Sequence, residues 1–303
     1  MRSTLIGGIA TVAAAVLLTG CASKPKAEFD TLKFSYNVSA DDVEASKRRV
    51  NMLHTYLEKA LKMKVEMVMG VSYGTAIEAM RAKRVDAATL GPMAYLIASQ
   101  KAGAEAIAIP GTKSGGPGTY ESSILVRGDS PIKTIDELLA SAEKYTFAFV
   151  DPGSTSGHLI PRAYMEGRDF NPEKRFRKIH YANDHLTTAY TVLGKKVDAG
   201  AMMPNIVRIL ESKGKIKPGE LRYLWVSSKI PQSPVVVRKD IPQEIKDRIR
   251  AAFLGLADAD PVLAKEMQVT TQYPDFCYYP ASDATYDELR KIARSQTTMR
   301  LVE

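Results

Sequence analysis

Metal ligands, disulfide partners and catalytic signatures are what this 303-residue chain has least of. Four histidines and two cysteines are present, with no Cys/His pair at metal-ligand spacing, so no metal site is expected. If the thiol of Cys21, directly after the N-terminal leader, is taken by lipid, Cys277 has no partner and no internal disulfide is expected. No Walker-type phosphate loop and no Gly-x-Ser-x-Gly elbow occur, so neither an enzyme nor a bound cofactor is expected. No basic stretch is interleaved with aromatics, which argues against nucleic acid as a partner. Over the full sequence, 45% hydrophobic and 25% charged residues describe an ordinary globular chain, with no second membrane segment expected after the leader.

What is present begins with residues 1–20. Arg2 is a short basic region, Leu5 to Leu18 is an apolar run too short for a comfortable membrane span, and Leu18-Thr19-Gly20-Cys21 closes it. This closing motif resembles a bacterial lipobox. The resemblance implies cleavage before Cys21 and lipidation of its thiol, which would place the protein outside the cytoplasm, anchored in a membrane on the periplasmic side or at the cell surface. A plain secretory signal with an incidental cysteine is the other reading. Residues 21–28 then serve as a flexible tether. The remaining chain suffices for one large domain or two lobes. The formal charge of +8 over the full sequence is scattered, as at Lys47-Arg48-Arg49, and suits an anionic ligand.

The most informative stretch is Asp151-Pro152-Gly153-Ser154-Thr155-Ser156-Gly157-His158, between the β-rich run Tyr145 to Val150 and a helical pattern from Leu159 to Met165. Pro152 and Gly153 supply a turn, Ser154 or Thr155 suits an N-cap, and Gly157 permits close backbone approach. Free N–H groups and hydroxyls thus gather at the positive end of a helix dipole, where an oxyanion with several acceptor oxygens would be favoured. A plain capped strand-to-helix turn would use the same residues.

Elsewhere short β and longer α patterns alternate. Strands are expected at Leu32 to Val38, Val65 to Val71, Val85 to Leu90 and Ala106 to Ile109, with helices between them, the first capped by Ser39 to Asp42. A parallel α/β sheet follows, with ligands bound beyond the carboxyl ends of its strands, where Tyr73 and the Gly91-Pro92 turn fall. Tyr120 to Arg127 reads as one strand, Thr134 to Glu137 as a capping box, and Asn183-Asp184 as the cap of a helix from His185. Residues 79–88 are echoed 112 positions later, with a helix end, a basic pair and Val-Asp-Ala in each copy. The echo predicts two similar lobes. Asp86 and Asp198 are read as structural residues at strand ends, since they would repel an anion.

Together the turn, Leu90-Gly91-Pro92 with Tyr95, His185 before Val197-Asp198-Ala199, and Ile230-Pro231 with Pro234 make the chain resemble the phosphate/phosphite/phosphonate solute-binding proteins of ABC transporters. The resemblance implies a type II periplasmic binding-protein fold with two crossover strands as hinge: residues 29–120 and 232–303 as one lobe, 121–231 as the other. It implies that Ser154, Thr155, Ser156, Gly157, Tyr73, Tyr120 and His185 hold a small phosphorus oxyanion. Partners would be an ABC permease and its ATPase, the protein itself being a monomer. Relatives that bind aminoalkyl phosphonates carry acidic residues where Asn205 and Ser233 align here, so an amine-free ligand such as phosphite, phosphate or methylphosphonate is expected. A lipoprotein sensor subunit of a two-component system would use the same fold. An esterase pairing Ser154 or Ser156 with His185 and Asp184 is the enzymatic alternative.

Overall fold

The computed structural model describes residues 29–37, 43–70, 72–271 and 273–295. The leader, the tether, Cys21 and the expected cap Ser39 to Asp42 lie outside these residues. Strands β1 (Thr31–Asn37), β2 (Lys64–Gly70), β3 (Ala87–Thr89), β4 (Ala104–Thr112) and β5 (Gly116–Pro117) come first, interleaved with α1 (Val43–Leu61), α2 (Tyr73–Arg81) and α3 (Pro92–Ala102). The chain crosses over on β6 (Thr119–Tyr120). It then lays down β7 (Ser123–Arg127), α4 (Ile135–Ala140), β8 (Thr146–Phe149), α5 (Ile160–Glu166), α6 (Pro172–Arg175), β9 (Lys178–Tyr181), α7 (His185–Leu193), β10 (Ala199–Met202), α8 (Asn205–Ser212) and β11 (Leu221–Val226). It returns on β12 (Ile230–Pro231) to add β13 (Val235–Arg238), α9 (Gln243–Ala259), α10 (Pro261–Thr271), β14 (Phe276–Pro280) and α11 (Asp287–Ser295).

Two sheets result. One runs β14-β4-β13-β3-β1-β2 with β5 appended to β4, the other β11-β7-β10-β8-β9, and β6 pairs β12 in a separate two-stranded ribbon. In the first, β1 is parallel to β2 and β3 while β13 is antiparallel to β3 and β4. In the second, β8 is parallel to β9 and β10 while β7 is antiparallel to β10 and β11. The two patterns are the same, and in each the antiparallel strand is the first one laid down after the chain crosses over. This is the two-lobed architecture of type II binding proteins. Helices cover both faces of each sheet, so the parallel strands are buried on both sides and read as apolar runs. Thr146–Phe149 is buried throughout, and Phe147 stacks on Phe176 at 4.8 Å between centroids.

The echo in the sequence is matched bond for bond. Lys83 and Lys195 both take positive φ, 58° and 60°. Lys83 donates to Met80 and Arg84 to Ala79, while Lys195 donates to Val192 and Lys196 to Thr191, the same positions shifted by 112. Asp86 Oδ2 then accepts from the Lys33 N–H at 2.8 Å, and Asp198 Oδ2 from the Thr146 N–H at 2.7 Å. Each aspartate thereby ties its strand entry to the neighbouring strand, the structural use expected of it.

Three expectations change. Tyr120 to Arg127 is not one strand: Thr119–Tyr120 belongs to the ribbon and Ser123–Arg127 to the second sheet, because the chain passes between lobes at Glu121-Ser122. From the sequence Lys113 to Thr119 is Gly-rich and loop-like, but Gly116–Pro117 within it pairs with β4. Thr134 caps α4 by accepting from Glu137 N at 3.1 Å, but the Glu137 carboxylate accepts from Lys133 N, one residue upstream of a capping-box partner.

Candidate functional site

The parallel strands of both sheets point their carboxyl ends at the gap between the lobes, so the helices that follow them start there. A cleft of about 390 Å³ occupies the gap. Its wall includes Tyr73, the first residue of α2, and Gly91, the N-cap of α3. From the other lobe come Ser154, Thr155 and Ser156, His185 at the start of α7, and Asn205 at the start of α8. Helix N-termini leave backbone N–H groups unpaired and carry partial positive charge, so the cleft is lined with donors before any side chain is considered.

The Ser-Thr-Ser turn is a π-helical turn, Thr155–Leu159, that runs directly into α5. Ser154 is its cap: the hydroxyl accepts from Gly157 N at 3.1 Å, and Leu159 N donates to Ser154 O five residues back. Asp151 accepts from Gly153 N at 2.7 Å and tightens the approach. Gly153 is required where it stands, because a Cβ there would lie 2.9 Å from Tyr73 Cβ in the opposite lobe. Thr155 reaches the same lobe, its hydroxyl accepting from Met93 N at 2.8 Å. Ser122, between the ribbon and β7, donates to Ser156 O at 2.6 Å and ties the crossover to the turn.

Of the seven expected ligand residues, six line the cleft: Tyr73, Tyr120, Ser154, Thr155, Ser156 and His185. Gly157 is not in its wall. It is buried with its α-carbon against Val150, where a Cβ would meet Val150 Cγ2 at 2.3 Å, so it serves the turn from behind. Burial pushes the Tyr73 and Tyr120 phenols up, against the opposing pull of hydrogen bonds to Ser154 and to Thr155 and Ser156 respectively. Both phenols therefore stay protonated donors.

His185 is held in one tautomer. Its Nδ1 accepts from Met203 N at 3.2 Å, so the proton resides on Nε2. Burial lowers its pKa to about 4, partly offset by Asp184, and the ring is neutral at physiological pH. Asp184 does not orient it: its carboxylate accepts from Thr187 N at 2.7 Å and from Thr187 Oγ1 at 2.6 Å as the cap of α7. The serine–histidine–aspartate order weighed for an esterase is thus not the order of these contacts. Among the described residues no group of three or more His, Cys, Asp or Glu is placed to hold a metal ion.

The wall also contains residues that the sequence did not single out for a ligand. Glu121 and Lys229 form an ion pair at 3.0 Å, Arg208 lies one turn along α8 from Asn205, and Tyr273 donates to Thr119 O at 3.0 Å. Arg208 at three residues from Asn205 is the one signal that could have been used, since the spacing puts both on one helix face.

Known proteins agree with this architecture. Two solved structures superpose over most of the chain. The binding-protein component of an ABC phosphonate transporter from Pseudomonas aeruginosa has a TM-score of 0.77 at 25% identity, covering 90% of this chain and 89% of that one. PhnD1 from Prochlorococcus marinus, solved with methylphosphonate, has a TM-score of 0.74 at 18% identity, covering 88% and 98%. The phosphonates-binding periplasmic protein of Escherichia coli is 33% identical over 199 residues, which span 66% of this chain and 58% of that protein. The phosphate-import protein PhnD of Mycolicibacterium smegmatis is 29% identical over 94% of both chains. A family profile described as "ABC transporter, phosphonate, periplasmic substrate-binding protein" matches residues 37–286, and the chain belongs to that family.

Proposed function

We propose that this protein captures a small phosphorus oxyanion in the cleft, closes its lobes over it, and presents the closed form to an ABC permease served by a separate ATPase. The observation that carries the reading is the convergence of neutral donors from both lobes on one gap: Tyr73 from one side, Ser154, Thr155, Ser156 and His185 from the other, with Tyr120 at the crossover. A tetrahedral oxyanion has acceptors on every face, and a wall of N–H and O–H donors can hold it without a formal counter-charge. The relatives, two of them named for phosphonates and for phosphate import and a third solved with methylphosphonate, point the same way. A ligand contacting both lobes favours the closed form by its differential affinity for it. The ribbon of Thr119–Tyr120 with Ile230–Pro231 is the natural hinge, dividing the lobes near residues 120 and 231. Lipidation at Cys21 would tether the monomer at the membrane that holds the permease.

Calorimetric titration of the ligand-stripped protein with phosphite, phosphate and methylphosphonate tests the reading. Ser156→Ala is the informative variant, because the Ser154 hydroxyl also caps the turn and its loss would mix stability with binding. Binding of at least one of these anions, weakened about tenfold or more in Ser156→Ala, is the expected result. No heat with any of the three would overturn the reading.

A further inference from the structure

We propose that the cleft takes a phosphorus oxyanion carrying a second acidic group, recognised by Arg208. The inference rests on the reading of the Ser154–Ser156 turn as the site of the phosphorus head group. Charge is distributed unevenly along the wall. Around the turn the donors are neutral: hydroxyls, phenols and the uncharged ring of His185. Among the described residues the charged side chains of the wall are Glu121, Lys229 and Arg208, all from the second lobe.

Glu121 and Lys229 neutralise one another at 3.0 Å. Arg208 has no carboxylate partner among the described residues and stays exposed. It stands on α8, whose opposite face buries Ile206, Val207 and Leu210, so the helix is firmly seated and the guanidinium is carried on the cleft side with Asn205. Tyr223 donates to Pro204 O at 3.0 Å and fixes the start of the same helix.

Among the described residues the wall therefore bears a net positive charge, with a five-donor fork that no described carboxylate pairs. An ammonium tail would meet like charge there and would lack a free carboxylate. A carboxylate or second phosphoryl group would find a bidentate partner. The volume of about 390 Å³ lies within the ~300–1,000 Å³ range of sites that enclose organic ligands, which leaves room for a tail.

The test compares methylphosphonate, phosphonoacetate and 2-aminoethylphosphonate by calorimetry on the purified, ligand-stripped protein and on Arg208→Gln. The expected order places phosphonoacetate about tenfold or more tighter than methylphosphonate, with 2-aminoethylphosphonate weakest. In Arg208→Gln the gap between phosphonoacetate and methylphosphonate closes, while methylphosphonate itself changes less than about twofold. Equal binding of phosphonoacetate and methylphosphonate, or a preference that survives Arg208→Gln, overturns the inference and leaves the head-group reading intact. Preference for the aminophosphonate also overturns it. Silence with all three probes overturns this inference, while the head-group reading is decided separately by phosphite and phosphate.

Discussion

The Met93 backbone N–H donates to the Thr155 hydroxyl at 2.8 Å, a hydrogen bond from the first turn of α3 in one lobe to the Ser154–Ser156 turn in the other. Because the oxygen accepts there, its own hydrogen is left to donate elsewhere. The same atom thus joins the lobes and serves the cleft. Thr155→Val leaves a buried donor unpaired, at a cost of about 1–3 kcal/mol to the closed form. The expected outcome is a larger radius of gyration for the ligand-free protein by small-angle scattering and a roughly tenfold or greater loss of affinity, both restored by Thr155→Ser. Unchanged scattering and affinity in Thr155→Val would remove the latch.

Gly157 supports the turn from behind, so its substitution should act on stability first. In Gly157→Ala the new Cβ falls 2.3 Å from Val150 Cγ2, and overpacking of this kind costs about 1–3 kcal/mol. The melting temperature should drop, and the double variant with Val150→Ala should recover part of it. A double variant no better than the single one would show that the strain lies elsewhere.

Two histidines should shape stability against pH. Burial lowers both His158 and His185 to about 4, below the ordinary value of about 6.5 that the unfolded chain would show. As pH falls through that window the unfolded state takes up protons that the folded state refuses, so stability is full above about 6.5 and declines towards 4. Each group contributes a slope of at most about 1.4 kcal/mol per pH unit. His158 Nε2 accepts from Arg162 Nε at 3.2 Å, a role that glutamine can take over. Melting temperatures from pH 7.5 to 4.5 should therefore fall less steeply in His158→Gln, and a variant profile that tracks the wild type removes His158 from the account. His185 is neutral and donates from Nε2 between pH 8 and 5, so affinity for methylphosphonate should change over that range only with the oxyanion's own second ionisation, alike in the wild type and in His185→Gln. A rise on acidification that His185→Gln abolishes would mark the ring as a cation instead.

The paired aspartates should differ in weight. Asp86 is buried and bridges to Arg238 at 3.0 Å besides accepting from Lys33 N. Asp198 is more exposed and accepts from Thr146 N and Thr146 Oγ1. Removing one partner of a buried pair leaves a charge uncompensated, so Asp86→Ala should cost about 3 kcal/mol in denaturant unfolding and Asp198→Ala about 1–2 kcal/mol. Equal losses would show that the Arg238 bridge adds nothing.

Much of this was legible in the residues. The turn at Asp151 to His158 and the helix at His185 announce themselves through local chemistry, because Pro, Gly, Ser and Asp are punctuation wherever they stand. The echo at 112 residues showed the two lobes, because the same local bonds recur in each. What stayed hidden depends on distant partners. The split of Tyr120 to Arg127 is invisible in its alternation, since both halves are strands and only their partners differ: Ile230–Pro231 for one, β10 and β11 for the other. Helix α8 has no side-chain cap, so nothing local announces it, whereas α10 holds a readable signal in Asp260, which accepts from Leu263 N at 2.9 Å ahead of Pro261. Arg208 and Lys229 looked like ordinary solvated charges, and only the facing lobe turns their surface into a wall.

The matching bonds at Lys83 and Lys195, and at Asp86 and Asp198, describe a molecule assembled like a homodimer whose two subunits share a single chain. The cleft then corresponds to a subunit interface. A true dimer must present identical groups from both of its halves. Fusion into one chain lifts the constraint, so one half can specialise in hydroxyls and the other in aromatic rings, and an asymmetric guest can be gripped differently at each end.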